Sequence, residues 1–252
     1  MKHRTEPRLV VVTGAAGGIG ASVAARLEQA GYFVLGTDRV GTVDLQADIS
    51  ADDGLAQLGD AINSRIAQGH ILHGLVNVAG ILRSGQLLDL SVDDWDAMHA
   101  VNTRSVFRTT QLVARLMVRQ QEHEAGNSRG IVTISSNAGT TPRYNLGGYC
   151  ASKSAATMTT RCFSIELAKH GIRANIVSPG STRTEMLRAL NGSEDTAKQS
   201  VLGDPANFRH PILLGRIADP EDIADSVEFL LSPRAKHLTG AELVVDGGAT
   251  LP

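Results

Sequence analysis

Short apolar runs recur along the chain, separated by longer stretches in which apolar positions return every three or four residues. Leu9–Val12, Phe33–Thr37, Leu75–Val78, Ile131–Ser135, Ile172–Val177 and Leu243–Val245 are continuous rather than alternating. Such runs predict strands buried on both faces. A weaker run, Thr42–Ala47, brings the set to seven. Helix-period segments lie between them, such as Ile19–Gln29, Trp95–Arg119, Gly148–Lys169 and Pro220–Leu231. Repeated strand–helix–strand order predicts an α/β fold: a doubly wound, parallel, seven-stranded sheet with helices on both faces.

No repeat, low-complexity segment or linker interrupts this pattern, so residues 1–252 read as a single domain. One stretch is poorly patterned. Residues 181–215 are polar and carry Gly192, Gly203, Pro205 and Pro211. A long irregular insert in a compact domain is usually functional or disordered. The expectation is an irregular substrate lid whose Met186, Leu187 and Leu190 either face a ligand or pack on the body.

Composition narrows the function classes. Of 252 residues, 42% are hydrophobic, enough for a sizeable buried sheet. The formal net charge of −2 argues against nucleic acid and anionic membranes as partners. Cys150 and Cys162 make no disulfide framework and have no metal-type spacing, so no metal is expected. The N-terminal MKHRTEPR is polar, and no stretch approaches the ~18 apolar residues of a membrane helix. A soluble cytoplasmic protein is the expectation.

The chemistry begins where the first strand ends, in Thr13-Gly14-Ala15-Ala16-Gly17-Gly18-Ile19-Gly20. Glycines let the backbone approach a pyrophosphate, and the following helix N-terminus offers free N–H groups. The spacing differs from the common GxGxxG fingerprint, and a Gly-rich turn alone also serves as a plain β–α connection. Asp38 adds weight. It follows the second strand, twenty positions past Gly18 (38 − 18), where a carboxylate can accept hydrogen bonds from the ribose hydroxyls of NAD. The same carboxylate repels a 2′-phosphate, although the neighbouring Arg39 could pair with one. NAD is therefore the expected cofactor. Asp48-Ile49 falls after the third strand, near the expected adenine position, or else is a turn or helix cap.

Tyr149 and Lys153 stand four apart on a predicted helix and so share one face. A tyrosine is a poor base at its free pKa of ~10. A nearby ammonium and the positive charge of an oxidised nicotinamide would lower that value. Tyr149 could then take the proton from a substrate hydroxyl while hydride leaves the same carbon. Ser136, at the end of the fifth strand, could hold the substrate oxygen.

TGAAGGIG, Asn77-Val78-Ala79-Gly80, Asn102, Ser136, Tyr149-Cys150-Ala151-Ser152-Lys153, Pro179-Gly180 and Val245-Asp246-Gly247-Gly248 occur in one order. That order resembles the short-chain dehydrogenase/reductase family over essentially the whole chain. The resemblance implies a Rossmann-like fold and a homotetramer. It implies that Asn102 anchors a water in a proton relay to Lys153, which also binds the nicotinamide ribose. It implies that Asn77, Ala79 and Gly80 support the sheet and line the adenosine ribose, and that Pro179, Gly180, Thr182 and Thr184 contact the cofactor.

Further segments resemble the 2,3-dihydro-2,3-dihydroxybenzoate dehydrogenase branch: Ala79–Arg83, Thr141-Pro142-Arg143, Ser178–Thr182, Pro211–Ala218 and Asp246–Leu251. Leu213-Leu214-Gly215 departs from the Pro-Leu-Gly of that branch. The implied substrate is a carboxylated cyclic diol, and its carboxylate needs a cation. Arg143, in the loop before the catalytic helix, and Arg83, after the fourth strand, are the candidates, with Met186 against the ring. The alternatives are a 3-oxoacyl reductase, a sugar or steroid alcohol dehydrogenase, or a catalytically silent nucleotide-binding protein.

Overall fold

Leu9 and Val11 pack into one apolar cluster and Val10 and Val12 into another, so consecutive residues of one strand face opposite layers. This follows from a strand that is apolar at every position. The computed structural model describes residues 7–121, 129–191 and 195–251. Seven strands form one sheet: β1 (Arg8–Thr13), β2 (Phe33–Asp38), β3 (Leu45–Gln46), β4 (Ile71–Asn77), β5 (Arg129–Ile134), β6 (Ile172–Pro179) and β7 (Glu242–Val245). Their order is β3-β2-β1-β4-β5-β6-β7, and every pairing is parallel.

The helices are α1 (Gly18–Gln29), α2 (Asp52–Ala67), α3 (Val92–His99), α4 (Ser105–Gln121), α5 (Gly147–Ala168), α6 (Glu185–Asn191), α7 (Asp195–Leu202) and α8 (Pro220–Leu231). Val23 and Leu27 of α1 join Ile223, Val227 and Leu230 of α8 against one sheet face. Leu58 and Ile62 of α2, Val113 and Met117 of α4 and Leu167 of α5 cover the other. The chain runs outward from β1 to β3, then returns to β4 beside β1. Such a reversal opens a crevice at the carboxyl ends of the strands, where ligands of doubly wound sheets bind.

Four features differ from the sequence reading. The expected strand Thr42–Ala47 shrinks to Leu45–Gln46. Helix α2 has no counterpart among the segments named above, because Gly54 and Gly59 dilute its apolar stripe of Leu55, Leu58 and Ile62. The expected helix Trp95–Arg119 is three pieces: α3, a π-helical turn over Ala100–Arg104, and α4. The stretch 181–215, expected to be irregular, holds α6, α7 and a one-turn helix at Pro205–Asn207. Its polar residues hid this helical content. Gly192 lies outside the described residues.

The two glycines of α2 predict opposite outcomes for one substitution. A Cβ on Gly54 would lie 2.1 Å from the Asp48 carbonyl oxygen, which is backbone and cannot step aside. A Cβ on Gly59 would meet the Leu112 side chain at ordinary contact distances, 3.6 Å to Cδ1 and 3.8 Å to Cδ2. Gly59→Ala should stabilise the protein by roughly 0.5–1 kcal/mol, the usual helix gain. Gly54→Ala should lose about 1–3 kcal/mol, as overpacking does. Urea midpoints that move in the same direction for both variants would refute this reading of α2.

Candidate functional site

The crevice between β1 and β4 is fixed by side chains that serve backbone. The Thr13 hydroxyl accepts from the N–H groups of Val78 (3.1 Å) and Ala79 (3.3 Å), tying the two strand ends together. Gly14 has φ +69°, and a Cβ there would lie 2.7 Å from Ala79 Cα. A Cβ on Gly20 would come within 2.0 Å of the Gly14 carbonyl oxygen. Both positions therefore require glycine for steric reasons. A Cβ on Gly17 would meet nothing closer than Gly14 O at 3.5 Å, so this residue leaves open space over the start of α1. That helix begins without a side-chain cap, so its first N–H groups are available to an anion.

A cavity of about 330 Å³ opens over this turn. Gly14, Gly18, Ile19, Gly20, Asp38, Asp48, Ile49, Ala79, Gly80 and Thr184 all line it. One Asp38 oxygen accepts from Ala16 N–H at 3.1 Å, which turns the carboxylate toward the glycine turn. Asp48 accepts from Ser50 N–H (2.9 Å) and Ser50 Oγ (2.6 Å), and these bonds hold its carboxyl below the usual range. The Asp48 carboxylate thus shapes the loop into α2. A glycine cradle, a helix N-terminus and a carboxylate at the end of β2 fit a dinucleotide.

A second cavity, about 400 Å³, adjoins the first and shares Ile19, Val78, Gly80, Thr184 and Met186 with it. Ser136, Tyr149, Lys153, Arg143, Pro179, Gly180 and Thr182 line it. Tyr149 and Lys153 are both buried on α5. Lys153 Nζ donates to the Ile134 carbonyl at 2.9 Å and lies 5.9 Å from the Tyr149 ring centre. Ser136 caps a one-turn helix at Asn137–Gly139, its hydroxyl accepting from Ala138 N–H at 3.1 Å.

Burial dominates the charge state of the pair. It pushes the Tyr149 phenol up to about 12, with the Ser136 hydroxyl pulling the other way. It pushes the Lys153 ammonium down to about 8. Without cofactor, desolvation is therefore the largest influence on this phenol.

Asn102 sits in the π-helical turn and is fully buried. Its amide donates to Ile81 O (2.8 Å) and Ser152 Oγ (3.0 Å), and its oxygen accepts from Ile81 N–H (2.8 Å). A Cβ on Gly80 would lie 3.2 Å from Asn102 Oδ1 and 3.3 Å from Lys153 Nζ, so these two groups flank one glycine.

Two expected contacts are corrected. Asn77 lines neither cavity. It is the buried last residue of β4, accepting from Thr109 (2.6 Å) and donating to Thr110 (3.0 Å) on α4, so its amide supports the sheet, as expected, and does not face the cavity. Arg83 also lines neither cavity. It is an exposed arginine paired with Asp94 at 3.5 Å, drawn there by the first turn of α3. Arg143 behaves otherwise. It is half-buried in the second cavity, desolvation lowers its pKa with the charge of Asp246 pulling the other way, and among the described residues no carboxylate forms an ion pair with it. Arg209 and Ser200 line the same cavity, and nothing in the sequence marks them. Thr184 caps α6, its hydroxyl accepting from Leu187 N–H at 3.3 Å. Among the described residues no group of His, Cys, Asp and Glu could hold a metal ion, and no helix is long and apolar enough to cross a membrane.

Residues 14–250 match the family described as enoyl-(acyl carrier protein) reductase. The chain is 40% identical to the 2,3-dihydro-2,3-dihydroxybenzoate dehydrogenase of Bacillus subtilis (strain 168), covering 98% of this chain and 97% of that one. It is 38% identical to the enzyme of the same name from Escherichia coli (strain K12), covering 96% of both. The chain belongs to the short-chain dehydrogenase/reductase family. A solved 3-ketoacyl-(acyl-carrier-protein) reductase from Brucella melitensis, complexed with NADH, has the same fold: TM-score 0.83, 27% identity, 98% of this chain and 99% of that one. Membership makes the chain an oxidoreductase with a nicotinamide cofactor, and the glycine cradle fits that group.

The buried phenol predicts a spectroscopic result. In the unliganded protein, phenolate absorbance that is lost in Tyr149→Phe should appear only toward pH 12, and oxidised cofactor should move it to lower pH. A rise at neutral pH without cofactor would show that Lys153 outweighs desolvation.

Proposed function

We propose that this chain catalyses the NAD-dependent oxidation of 2,3-dihydro-2,3-dihydroxybenzoate to 2,3-dihydroxybenzoate, a step in catecholate siderophore synthesis. The observation that carries this reading is the unpaired, half-buried Arg143 guanidinium in one cavity with Ser136, Tyr149 and Lys153. A cation without an internal partner, beside a hydroxyl-handling pair, suits a substrate that is both an alcohol and a carboxylate. The relatives named for this reaction, at 38–40% identity, support it.

Ser136 holds the substrate hydroxyl and Tyr149 takes its proton. A bound oxidised nicotinamide would supply the hydride acceptor and a positive charge that lowers the pKa of Tyr149. Lys153 orients the cofactor ribose and, with Asn102 and a water, relays the proton outward. The ketone formed tautomerises to an aromatic catechol, which makes oxidation the downhill direction. Arg143 grips the carboxylate through its planar fork, and Met186 covers the ring. Gly18, Ile19, Ala79, Gly80, Pro179, Gly180, Thr182 and Thr184 hold the cofactor. Asp38 selects NAD, since a 2′-phosphate would meet its carboxylate. We further propose a cytoplasmic homotetramer. The outward faces of α4 and α5 support assembly, with Phe107, Met158 and Ile165 exposed.

Three experiments test this. Wild type should turn over far better with NAD than with NADP, and Asp38→Ala should narrow the gap. Preference for NADP in the wild type would overturn the role of Asp38. Tyr149→Phe should lose about 10²–10⁴-fold in turnover and keep cofactor binding. Arg143→Met should lose roughly tenfold to a hundredfold in kcat/KM on the carboxylated diol and nothing on a neutral cyclic diol. A wild type that prefers the neutral diol would refute the substrate assignment.

A further inference from the structure

We propose that Arg209 and Ser200 complete, with Arg143, a three-residue pocket for the substrate carboxylate; the proposal rests on the carboxylated substrate read above. Arg209 follows the one-turn helix Pro205–Asn207 and is fixed at both ends. Its backbone exchanges two hydrogen bonds with Asp204, at 2.9 and 2.8 Å. Its guanidinium donates to Ser181 Oγ at 2.8 Å, which leaves other N–H groups for a ligand. It lines the cavity that Arg143 enters from the loop before α5.

Burial first, and then the charge of Arg143, disfavours the protonated form of Arg209, while the Asp204 carboxylate favours it. Among the described residues neither guanidinium forms an ion pair; the Asp246 carboxylate favours the charge of Arg143 and the Asp204 carboxylate that of Arg209 only from further off, and both carboxylates are engaged. Asp204 accepts from Asn207 Nδ2 at 2.7 Å. Asp246 accepts from Asn137 (3.2 Å), Thr250 (2.6 Å) and Gly248 N–H (2.9 Å). Asp204, which lines the same cavity, offsets two desolvated cations only in part, so an anion between them is favourable. A third group points the same way. Ser200, on α7, is 1% exposed, its hydroxyl has no hydrogen-bond partner, and it lines this cavity. Buried hydroxyls are normally bonded, so an orphan beside two unpaired cations marks an acceptor-rich ligand. A carboxylate offers about four acceptor sites, enough for the Arg143 fork, Arg209 and Ser200 together. The apolar side chains of Leu82, Leu146, Leu187 and Leu190 in the same cavity suit the ring that carries it.

Binding of 2,3-dihydroxybenzoate and of catechol, which lacks the carboxylate, to the NADH-loaded enzyme tests this. Arg209→Met should weaken the acid about tenfold or more and leave catechol and NADH affinity unchanged. Ser200→Ala should weaken the acid a few-fold, about one hydrogen bond. Arg209→Lys should recover part of the loss, since it keeps the charge without the fork. In turnover, KM for the acid should rise while kcat changes little. The Arg143→Met/Arg209→Met double variant should lose less than the product of the single losses, because both residues grip one group. Wild-type affinity for the acid in Arg209→Met overturns the proposal, as does an equal loss for acid, catechol and NADH. Equal affinity of the wild type for acid and catechol overturns it too. If the wild type binds the acid through Arg209 but oxidises no carboxylated diol, the substrate reading fails and the carboxylate pocket stands.

Discussion

An ammonium group buried in the middle of the molecule sets the terms for much of what surrounds it. Lys153 is 4% exposed, and the one hydrogen bond its Nζ makes goes to the carbonyl of Ile134 at the end of β5. Removing a charge from water costs several kcal/mol unless it is compensated. Its pKa of about 8 records that cost. The sign follows from that depression. The penalty is present in full below pH 8 and is relieved as pH rises toward the ordinary lysine value of 10.5. To bring Nζ to Ile134, α5 must lie close against the end of β5. That closeness explains the glycines nearby. A Cβ on Gly139 would be 3.0 Å from Ser135 Oγ and 3.3 Å from the Lys153 carbonyl carbon, and one on Gly80 3.3 Å from Nζ itself.

Hydroxyls hold this arrangement where apolar packing alone would not fix it. Ser135 bonds Thr157 at 2.7 Å, and Thr133 accepts from Thr160 at 2.9 Å, so two turns of α5 are pinned to β5. Thr109 and Thr110 pin α4 to Asn77 of β4 in the same way. Polar pairs satisfied in the core specify one register of helix on sheet. The π-helical turn at Ala100–Arg104 belongs to the same set of constraints. It seats Asn102 where its amide can satisfy both backbone groups of Ile81, at the mouth of the cofactor cavity. Such turns often mark functional positions.

The two cavities differ in charge as their ligands would. The cofactor side presents the Asp38 carboxylate over a helix N-terminus, a surface for hydroxyls and phosphates. The substrate side gathers Lys153, Arg143 and Arg209 among leucines and methionine. The shared lining at Gly80 and Thr184 makes the two cavities one continuous site.

Local pattern was enough for the sheet, the glycine turn, Asp38, Ser136 and the Tyr149–Lys153 face. These depend on strand burial, steric freedom of the backbone and helical spacing, all properties of neighbours in sequence. Other features were decided only by contacts between distant segments. Asn77 looked like a ribose contact, yet threonines on α4 turn its amide into the core. Arg143 and Arg83 were both candidates in sequence, Arg143 first, but Asp94 holds Arg83 at the surface while Arg143 is desolvated in the cavity that Tyr149 also lines. Helix α2 formed despite its glycines, because Leu58 and Ile62 pack on the same sheet face as α4. Arg209 and Ser200 lie in a stretch whose polar composition hides α7, and they reach the site only because that stretch folds back over it. Short-range sterics and periodicity are written in the chain. Which of several equivalent polar side chains is buried beside which other is fixed by packing, and only the tertiary structure sets that.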